Sequence, residues 1–217
     1  MTETLRAEAP ALPDIPALPE TPEESALAEF AAETCRRLSA GILGNTGEGL
    51  KALISAEVDR LQSVLRDPSL LEGMQAQTPP RFDRKGRLQV TTNPVVSHRN
   101  PLAPPLVHHH DGDESEFRVT LPLQYQGPRN NLHGGYCAVL LDDVLWHAVR
   151  YAAPGISFTR ELTITYERPV PLFEELRIVG RVSRIEGRKT FADGEIIAGD
   201  VVCARATGLW ISPKPTV

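Results

Sequence analysis

The sequence predicts an α+β fold in which an antiparallel sheet wraps around one long helix. The segment from about Gly134 to Tyr151 reads as a helix, and residues 136–141, "YCAVLL", are apolar on every side. One segment with strand alternation precedes it, and four strand segments with short connections follow it. A lone helix followed by an antiparallel meander is typical of a sheet that covers the helix. We therefore expect the helix to be buried all round.

The strand before the helix is "EFRVTLPLQY", residues 116–125. Apolar residues alternate along it, which predicts one buried face. These residues are Phe117, Val119, Leu121, Leu123 and Tyr125. Proline has no N–H to donate within a sheet, so Pro122 predicts an edge position or a bulge.

The four strands after the helix are divided by turn signals. The first, "ISFTRELTITYERPVP", alternates between two faces. The apolar face consists of Phe158, Leu162, Ile164 and Tyr166, and the opposite face of Thr159, Glu161, Thr163 and Thr165. The other three strands are "ELRIVGRVSRI", "KTFADGEIIA" and "VVCARATGLWIS". Their connections contain "EGR" and "GD", which suit tight hairpins.

The chain divides into three predicted segments. They are a flexible tail at residues 1–20, a helical hairpin at residues 21–75 and a main domain at residues 76–217. Thr21 and Glu24 form a capping box ahead of a first helix that Gly41 ends, and a second helix follows Thr46. Each helix carries an apolar stripe, so we expect the pair to pack on the main domain or on a partner chain.

Composition excludes several classes of protein. The net charge of −5 argues against a broad nucleic-acid interface, which needs a clustered basic face. No apolar run approaches the roughly 20 residues that span a bilayer. The acidic, proline-rich N-terminus lacks the pattern of a secretory signal. Three scattered cysteines fit neither a disulfide framework nor a CxxC metal site, so we expect a reducing cytoplasm.

Most of the candidate catalytic residues lie in one stretch, "RNNLHGGYCAVLLDDVLWHAV", residues 129–149. The first N–H groups of a helix have no intrahelical acceptor, so they stabilise a developing negative charge. Glycines such as Gly134 and Gly135 let a substrate approach the backbone closely. The helix also carries Asp142 and Asp143 among apolar residues. Desolvation raises the pKa of such a carboxylate, which makes it a better base or nucleophile at neutral pH.

Two stretches of the sequence resemble those of a known protein family. "YQGPRNNLHGGYCAVLLDD" followed by "TRELTITYERPVP" resembles the hotdog-fold acyl-CoA thioesterases, most closely the phenylacetate-pathway type and the human thioesterase-superfamily members. The resemblance covers about residues 97–213, with "NPLAPPL" near its start and "GRKTF" and "ATGLWI" towards its end. It implies a hotdog fold and hydrolysis of acyl-CoA to a carboxylic acid and free coenzyme A. No cofactor or metal is implied, because coenzyme A is part of the substrate.

The resemblance implies a role for each matching residue. The N–H of Gly134 would bind the thioester carbonyl oxygen, and His133 would help to place that carbonyl. Asp142 would attack the carbonyl or activate water, and the hydroxyl of Thr159 would orient the carboxylate or the water.

Gly135 and Asn131 are assigned to substrate binding. The chain departs from the family pattern at one position, because some relatives have Asn six residues before the His, where this chain has Gly127. This departure leaves the contact to the lytic water unassigned, with Asn130 and Asn131 as the nearest amides.

Spacing along the helix predicts a dimer. Gly134 and Asp142 are eight residues apart, which separates them by about 12 Å along one helix. Both residues cannot touch one thioester carbon from the same helix. The sequence therefore predicts two composite sites, each with Gly134 from one subunit and Asp142 from the other. The resemblance implies the same arrangement, and relatives often pair further into tetramers.

Some residues have simpler interpretations. Spacing from the glycines favours Asp142 as the catalytic aspartate and leaves Asp143 a structural role. Alternate side chains of an extended chain point opposite ways, so at most two of the histidines 108–110 could share a ligand. We expect a solvated strand end there and no metal. Cys137 is expected to fill the core.

Two other functions compete with hydrolysis. One is a non-catalytic hotdog module that binds acyl-CoA as a sensor or partner protein, which would have no use for a desolvated aspartate. The other is a hotdog dehydratase or hydratase, whose closely placed His and acid fit the nine-residue spacing from His133 to Asp142 poorly. The helical hairpin could cover an acyl tunnel, dock another protein, or extend and stabilise the dimer interface.

Overall fold

A computed structural model describes residues 22–44, 47–66, 81–82, 88–89 and 93–214. The tail predicted at residues 1–20, and the cap residues Thr21 and Thr46, lie outside these residues. The described residues form two compact units. One contains residues 22–105 and 122–124, and the other contains residues 106–121 and 125–214.

The first unit contains the helical hairpin. Its elements are α1 (Pro22–Leu43), α2 (Glu48–Leu65) and a two-stranded antiparallel pair, β1 (Arg81–Phe82) and β2 (Leu88–Gln89). Pro22 is the first residue of α1, a position that suits proline because its missing N–H would have no intrahelical acceptor there. The predicted stop at Gly41 is wrong, because α1 continues to Leu43; one glycine weakens a helix without ending it.

The apolar stripe of α1 is largely exposed in the single chain. Leu27 and Phe30, which belong to this stripe, are 68% and 71% exposed, whereas Ala32 is buried. None of the described helices is long and apolar enough to cross a membrane.

The second unit is the predicted hotdog fold. Its elements are β3 (Val107–Asp111), β4 (Glu114–Thr120), α3 (Gly134–Ala152), β5 (Phe158–Tyr166), β6 (Glu175–Glu186), β7 (Lys189–Ala198) and β8 (Val201–Ile211). The six strands form one antiparallel sheet in the order β3-β4-β6-β7-β8-β5, and α3 packs against it. The bounds of α3, β6, β7 and β8 agree closely with the sequence patterns.

Three sequence expectations about this sheet are wrong. The strand before α3 ends at Thr120, because Pro122 cannot continue the ladder, and the chain then makes a 3-10 turn. An additional strand, β3, pairs with β4. The strands after α3 are not one meander, since β5 pairs with β8 across the sheet instead of with β6. The segment between β5 and β6 contains Pro169 and Pro171 and does not form a tight hairpin.

The core lies between α3 and the inner face of the sheet. One face of α3 is fully buried: Leu140, Leu141, Val144, Leu145, Ala148 and Val149. The helix backbone comes so close to β6 that a Cβ on Gly180 would lie 3.0 Å from the carbonyl oxygen of Val144. The expectation of burial all round is wrong on one flank, where Val139 is 41% exposed. Asp142 lies on that flank, three residues further along.

Candidate active site

His133 caps the start of α3. Its backbone is extended, with φ −65° and ψ 132°, and its Nδ1 accepts a hydrogen bond from the Gly135 N–H at 2.9 Å. The His133 N–H donates to the carbonyl of Tyr125 at 2.9 Å, which fixes the turn that leads into the helix. Thus the side chain of His133 satisfies one of the N–H groups that a helix start leaves open.

This cap determines the tautomer of His133. A backbone N–H can only donate, so Nδ1 must be the unprotonated nitrogen of the ring. The proton of the neutral imidazole is then on Nε2. His133 is exposed, so this N–H is available as a donor beside the helix N-terminus.

Gly134 is the first residue of α3. Within the described part of the chain, its N–H has no hydrogen-bond acceptor, whereas the N–H of Gly135 is already bound to His133. The carbonyl of Gly134 accepts a hydrogen bond from the Tyr166 hydroxyl at 2.9 Å. The end of β5 therefore anchors the start of the helix.

Thr159 lies next to Asp142, which is one of the two arrangements that the family resemblance implies. The Thr159 hydroxyl donates to Asp142 Oδ1 at 3.0 Å and joins the middle of α3 to the start of β5. Burial raises the pKa of Asp142 above its ordinary value, the neighbouring charge of Asp143 raises it further, and the Thr159 hydrogen bond opposes the rise. The carboxylate is half-buried and reaches the accessible flank of α3.

A β-bulge brings Thr159 to this position. The pairing of β5 with β8 shifts between Thr159 and Glu161, so that Thr159 lies opposite Trp210 and Glu161 lies opposite Leu209. Trp210 is fully buried, so Thr159 shares the inner face of the sheet with Trp210. The strict alternation expected from the sequence, with Thr159 opposite the apolar face, is wrong because the bulge at Arg160 reverses it.

The turn before His133 leaves no room for a side chain at Gly127. A Cβ on Gly127 would lie 2.7 Å from the Cα of His133, so a larger residue would have to displace that backbone. The two nearby asparagines take part in the hydrogen bonds of the turn. The Asn131 side chain donates to the Arg129 carbonyl at 2.8 Å, and Asn130, with φ 61°, donates its N–H to the Gln126 side chain.

Two other groups were singled out in the sequence. Cys137 is buried in the core, as predicted, and burial raises the pKa of its thiol to about 11. The expectation that histidines 108–110 form a solvated strand end is wrong for His108, which is half-buried and 2.9 Å from the Ser115 hydroxyl. Among the described residues, no cluster of three or more His, Cys, Asp or Glu side chains could hold a metal ion.

One cluster of side chains, that of His108, Asp143 and His147, could not be predicted from spacing along the sequence. On the other side of α3 from Thr159, Asp143 approaches His147, whose ring lies 4.4 Å from that of His108. His108 belongs to β3 and His147 to α3, so only the folded sheet brings the two rings together. The only sequence signal was the spacing of Asp143 and His147 on one helical face.

Comparison with known proteins identifies the class. The sequence model of the thioesterase superfamily matches residues 129–204, which include the cap, Asp142 and Thr159. The crystal structure of protein RHA08564, a thioesterase superfamily protein, superposes with a TM-score of 0.69 at 30% identity, over 85% of this chain and 94% of that one. This chain belongs to the thioesterase superfamily, and its fold is the hotdog fold.

Curated relatives match over a shorter stretch. The acyl-coenzyme A thioesterase THEM4 of Xenopus laevis is 34% identical over 92 residues, which is 42% of this chain and 41% of THEM4. The mouse protein of the same name is 32% identical over 95 residues, 43% of this chain and 40% of its own. An uncharacterized protein of Schizosaccharomyces pombe, C26H8.11c, is 31% identical over 94 residues, 41% of this chain and 54% of its own. The chain thus spans about half or less of these relatives.

Proposed function

We propose that this protein is an acyl-CoA thioesterase that hydrolyses acyl-CoA to a carboxylic acid and free coenzyme A. One observation carries the proposal: a partly desolvated carboxylate, Asp142, is held by the Thr159 hydroxyl on a helix that begins with Gly134, whose N–H has no acceptor among the described residues. A carboxylate and an oxyanion donor are the two groups that hydrolysis of a thioester needs.

The helix start binds the carbonyl oxygen of the thioester. The N–H of Gly134 points out of the first turn, where the helix dipole favours negative charge. The Nε2–H of His133 provides a second donor, because its Nδ1 is occupied by the Gly135 N–H. Gly135 therefore contributes through this cap, and Asn131 shapes the turn that positions His133.

Asp142 acts on the carbonyl carbon, either as the nucleophile or as the base that activates water. Both roles require the ionised carboxylate. Because burial raises the pKa of Asp142, activity is present above that raised pKa and is lost as the pH falls through it. The acidic limb of the pH profile should therefore lie above about 3.9, the ordinary value for aspartate.

The complete site requires a second subunit. Gly134 and Asp142 belong to one continuous helix, so about 12 Å separates them along its axis. We assign Gly134 and His133 of one subunit and Asp142 and Thr159 of the partner subunit to one substrate. The candidate interface is the edge of β5 that pairs with no other described strand, where Phe158 and Tyr166 are 64% and 53% exposed. Such dimers could pair further into tetramers.

A thiol-release assay with acyl-CoAs of different acyl groups tests the proposal. Release of free coenzyme A by the purified chain, with one equivalent of acid formed, is the expected result. If no acyl-CoA is hydrolysed but acyl-CoA still binds in calorimetry, the protein is a sensor and the proposal is wrong. Asp142→Asn is the matched inactive control, because it removes the charge and keeps the shape.

A further inference from the structure

Tyr166, the last residue of β5, reaches the start of α3. Its hydroxyl donates a hydrogen bond to the carbonyl oxygen of Gly134 at 2.9 Å, although the two residues are 32 positions apart in the sequence. Burial raises the pKa of the Tyr166 hydroxyl above its ordinary value, so the hydroxyl keeps its proton at neutral pH and acts as a donor. It therefore polarises the first peptide unit inside the helix.

That peptide unit connects Tyr166 to His133. The carbonyl of Gly134 and the N–H of Gly135 belong to the same peptide unit, and this N–H donates to His133 Nδ1 at 2.9 Å. A hydrogen bond accepted at the oxygen of a peptide unit strengthens the one that its N–H donates, because both polarise the same bonds. The Tyr166 hydroxyl, the peptide unit and the His133 ring thus form one chain of hydrogen bonds.

The chain ends at the ring that supplies the second donor of the proposed site. Because Nδ1 of His133 accepts from the Gly135 N–H, the proton of the neutral ring is on Nε2. A stronger hydrogen bond at Nδ1 holds both the tautomer and the orientation of the ring, which makes Nε2–H a preorganised donor. The N–H of Gly134 lies outside this chain, since it belongs to the preceding peptide unit.

We infer that Tyr166 is a positioning residue for His133: its hydroxyl acts through the peptide unit between Gly134 and Gly135 and holds the His133 ring as a donor to the thioester oxygen. The inference rests on the proposed function, since the thioester is the proposed substrate. A purely structural role, in which Tyr166 only anchors the end of β5 to the helix, predicts a different dependence on His133.

A double-mutant cycle separates the two roles of Tyr166. Tyr166→Phe removes the hydroxyl and keeps the ring at the edge of β5. We expect it to lower kcat for acyl-CoA by about three- to fivefold with KM unchanged, as for loss of one hydrogen bond that counts in the transition state. His133→Ser removes the ring and keeps an oxygen that can cap the helix. In the His133→Ser background, Tyr166→Phe should have almost no further effect on kcat.

The contrary results of the cycle are distinct. An equal fall in kcat from Tyr166→Phe in both backgrounds would mean that the hydroxyl only anchors β5, and it would overturn the inference. A wild-type kcat in Tyr166→Phe would do the same. The matched control is Tyr136→Phe, which should keep the wild-type kcat. The Tyr136 ring contacts Tyr125, and its hydroxyl has no hydrogen bond to any residue that the structure describes.

Nuclear magnetic resonance tests the chain without dependence on turnover. The amide proton of Gly135 should move upfield in Tyr166→Phe, because its hydrogen bond to His133 becomes weaker, and it should stay in place in Tyr136→Phe. Nitrogen-15 spectra of wild type should show the neutral His133 ring protonated on Nε2. An unmoved Gly135 signal in Tyr166→Phe, or a ring protonated on Nδ1, would contradict the chain.

Asp142→Asn, assayed in parallel, separates failure of this inference from failure of the proposed function. Full hydrolysis of acyl-CoA by that variant contradicts the proposed function. Lost hydrolysis in Asp142→Asn, together with equal losses from Tyr166→Phe in the two His133 backgrounds, contradicts only the role of Tyr166.

Discussion

The two edges of the six-stranded sheet differ in length and chemistry. The β5 edge has nine residues, with Phe158 and Tyr166 exposed, whereas the β3 edge has five residues with the sequence "VHHHD". Exposed strand edges tend to pair with other chains, and short, polar edges discourage this. On this ground the β5 edge is the better candidate for the proposed subunit interface.

The two adjacent aspartates of α3 lie towards opposite edges of the sheet. Asp142 contacts the β5 edge, where the single chain leaves one flank of the helix accessible, and Asp143 packs towards the closed β3 side. The same residue type therefore has two environments within one helical turn. The proposed chemistry therefore lies on the side of α3 that is accessible in the single chain.

The largest effect is expected at the helix start. Proline at residue 134 removes only the N–H, because the first position of a helix accepts proline and His133, with ψ 132°, already has the conformation that precedes proline. We expect Gly134→Pro to lower kcat by about 100- to 1,000-fold, as for loss of one oxyanion donor. Gly134→Ala keeps the N–H, and its Cβ would lie 3.6 Å from the Tyr166 ring, so it should remain active.

Mixing two inactive variants tests whether Gly134 of one subunit and Asp142 of the other act on the same substrate. Neither Gly134→Pro nor Asp142→Asn is active alone, but a mixed dimer keeps one site in which both parts are intact. With equal mixing, about a quarter of wild-type activity should return, since half of the dimers are mixed and each has one working site. If no activity returns although mass spectrometry shows chain exchange, the composite site is wrong.

A smaller effect is expected from disrupting one edge and sparing the other. Phe158→Lys places a charge on the β5 edge, which should shift the protein from dimer to monomer in sedimentation and lower activity by about tenfold or more. Val107→Lys makes the same change at an exposed residue of the β3 edge and should leave both unchanged. Equal losses from the two variants would contradict the assignment of the interface to β5.

The smallest effect concerns the hydrogen bond to the carboxylate. Thr159→Val keeps the branched shape and removes the hydroxyl, which should lower kcat by about fivefold, the value of one hydrogen bond near 1 kcal/mol. Because that hydrogen bond lowers the pKa of Asp142, its loss should also move the acidic limb to higher pH. Thr163→Val, at an exposed residue of the same strand, is the control. An unmoved limb in Thr159→Val would argue against the contact.

Much of the fold could be predicted because its signals are local. The alternation of apolar residues predicted the bounds of β6, β7 and β8 to within about two residues, the usual uncertainty of element ends. The glycines before an apolar run predicted the start of α3 equally well. The meeting of Asp142 and Thr159 was also predicted, from a family resemblance. The order of the strands was not, because β5 crosses to β8 through contacts distant in sequence.

Two features could not be read from the sequence for physical reasons. Periodicity assumes an unbroken strand, so it assigned Thr159 to the wrong face, and the bulge at Arg160 appears only in the pairing with β8. The cluster of His108, His147 and Asp143 joins β3 to α3, and no local pattern records such a contact. In both cases the missing information is the packing of segments that are distant in sequence.

The most direct test of the central claim is thiol release from acyl-CoA by Asp142→Asn and Asp143→Asn, compared with wild type above the acidic limb. The charge change is identical and the two sites are adjacent, so only the side of the helix differs. We expect Asp142→Asn to lose about 100- to 10,000-fold in kcat, the range for loss of a catalytic acid–base group, and Asp143→Asn to retain most of the activity. Near wild-type hydrolysis by Asp142→Asn would contradict the account.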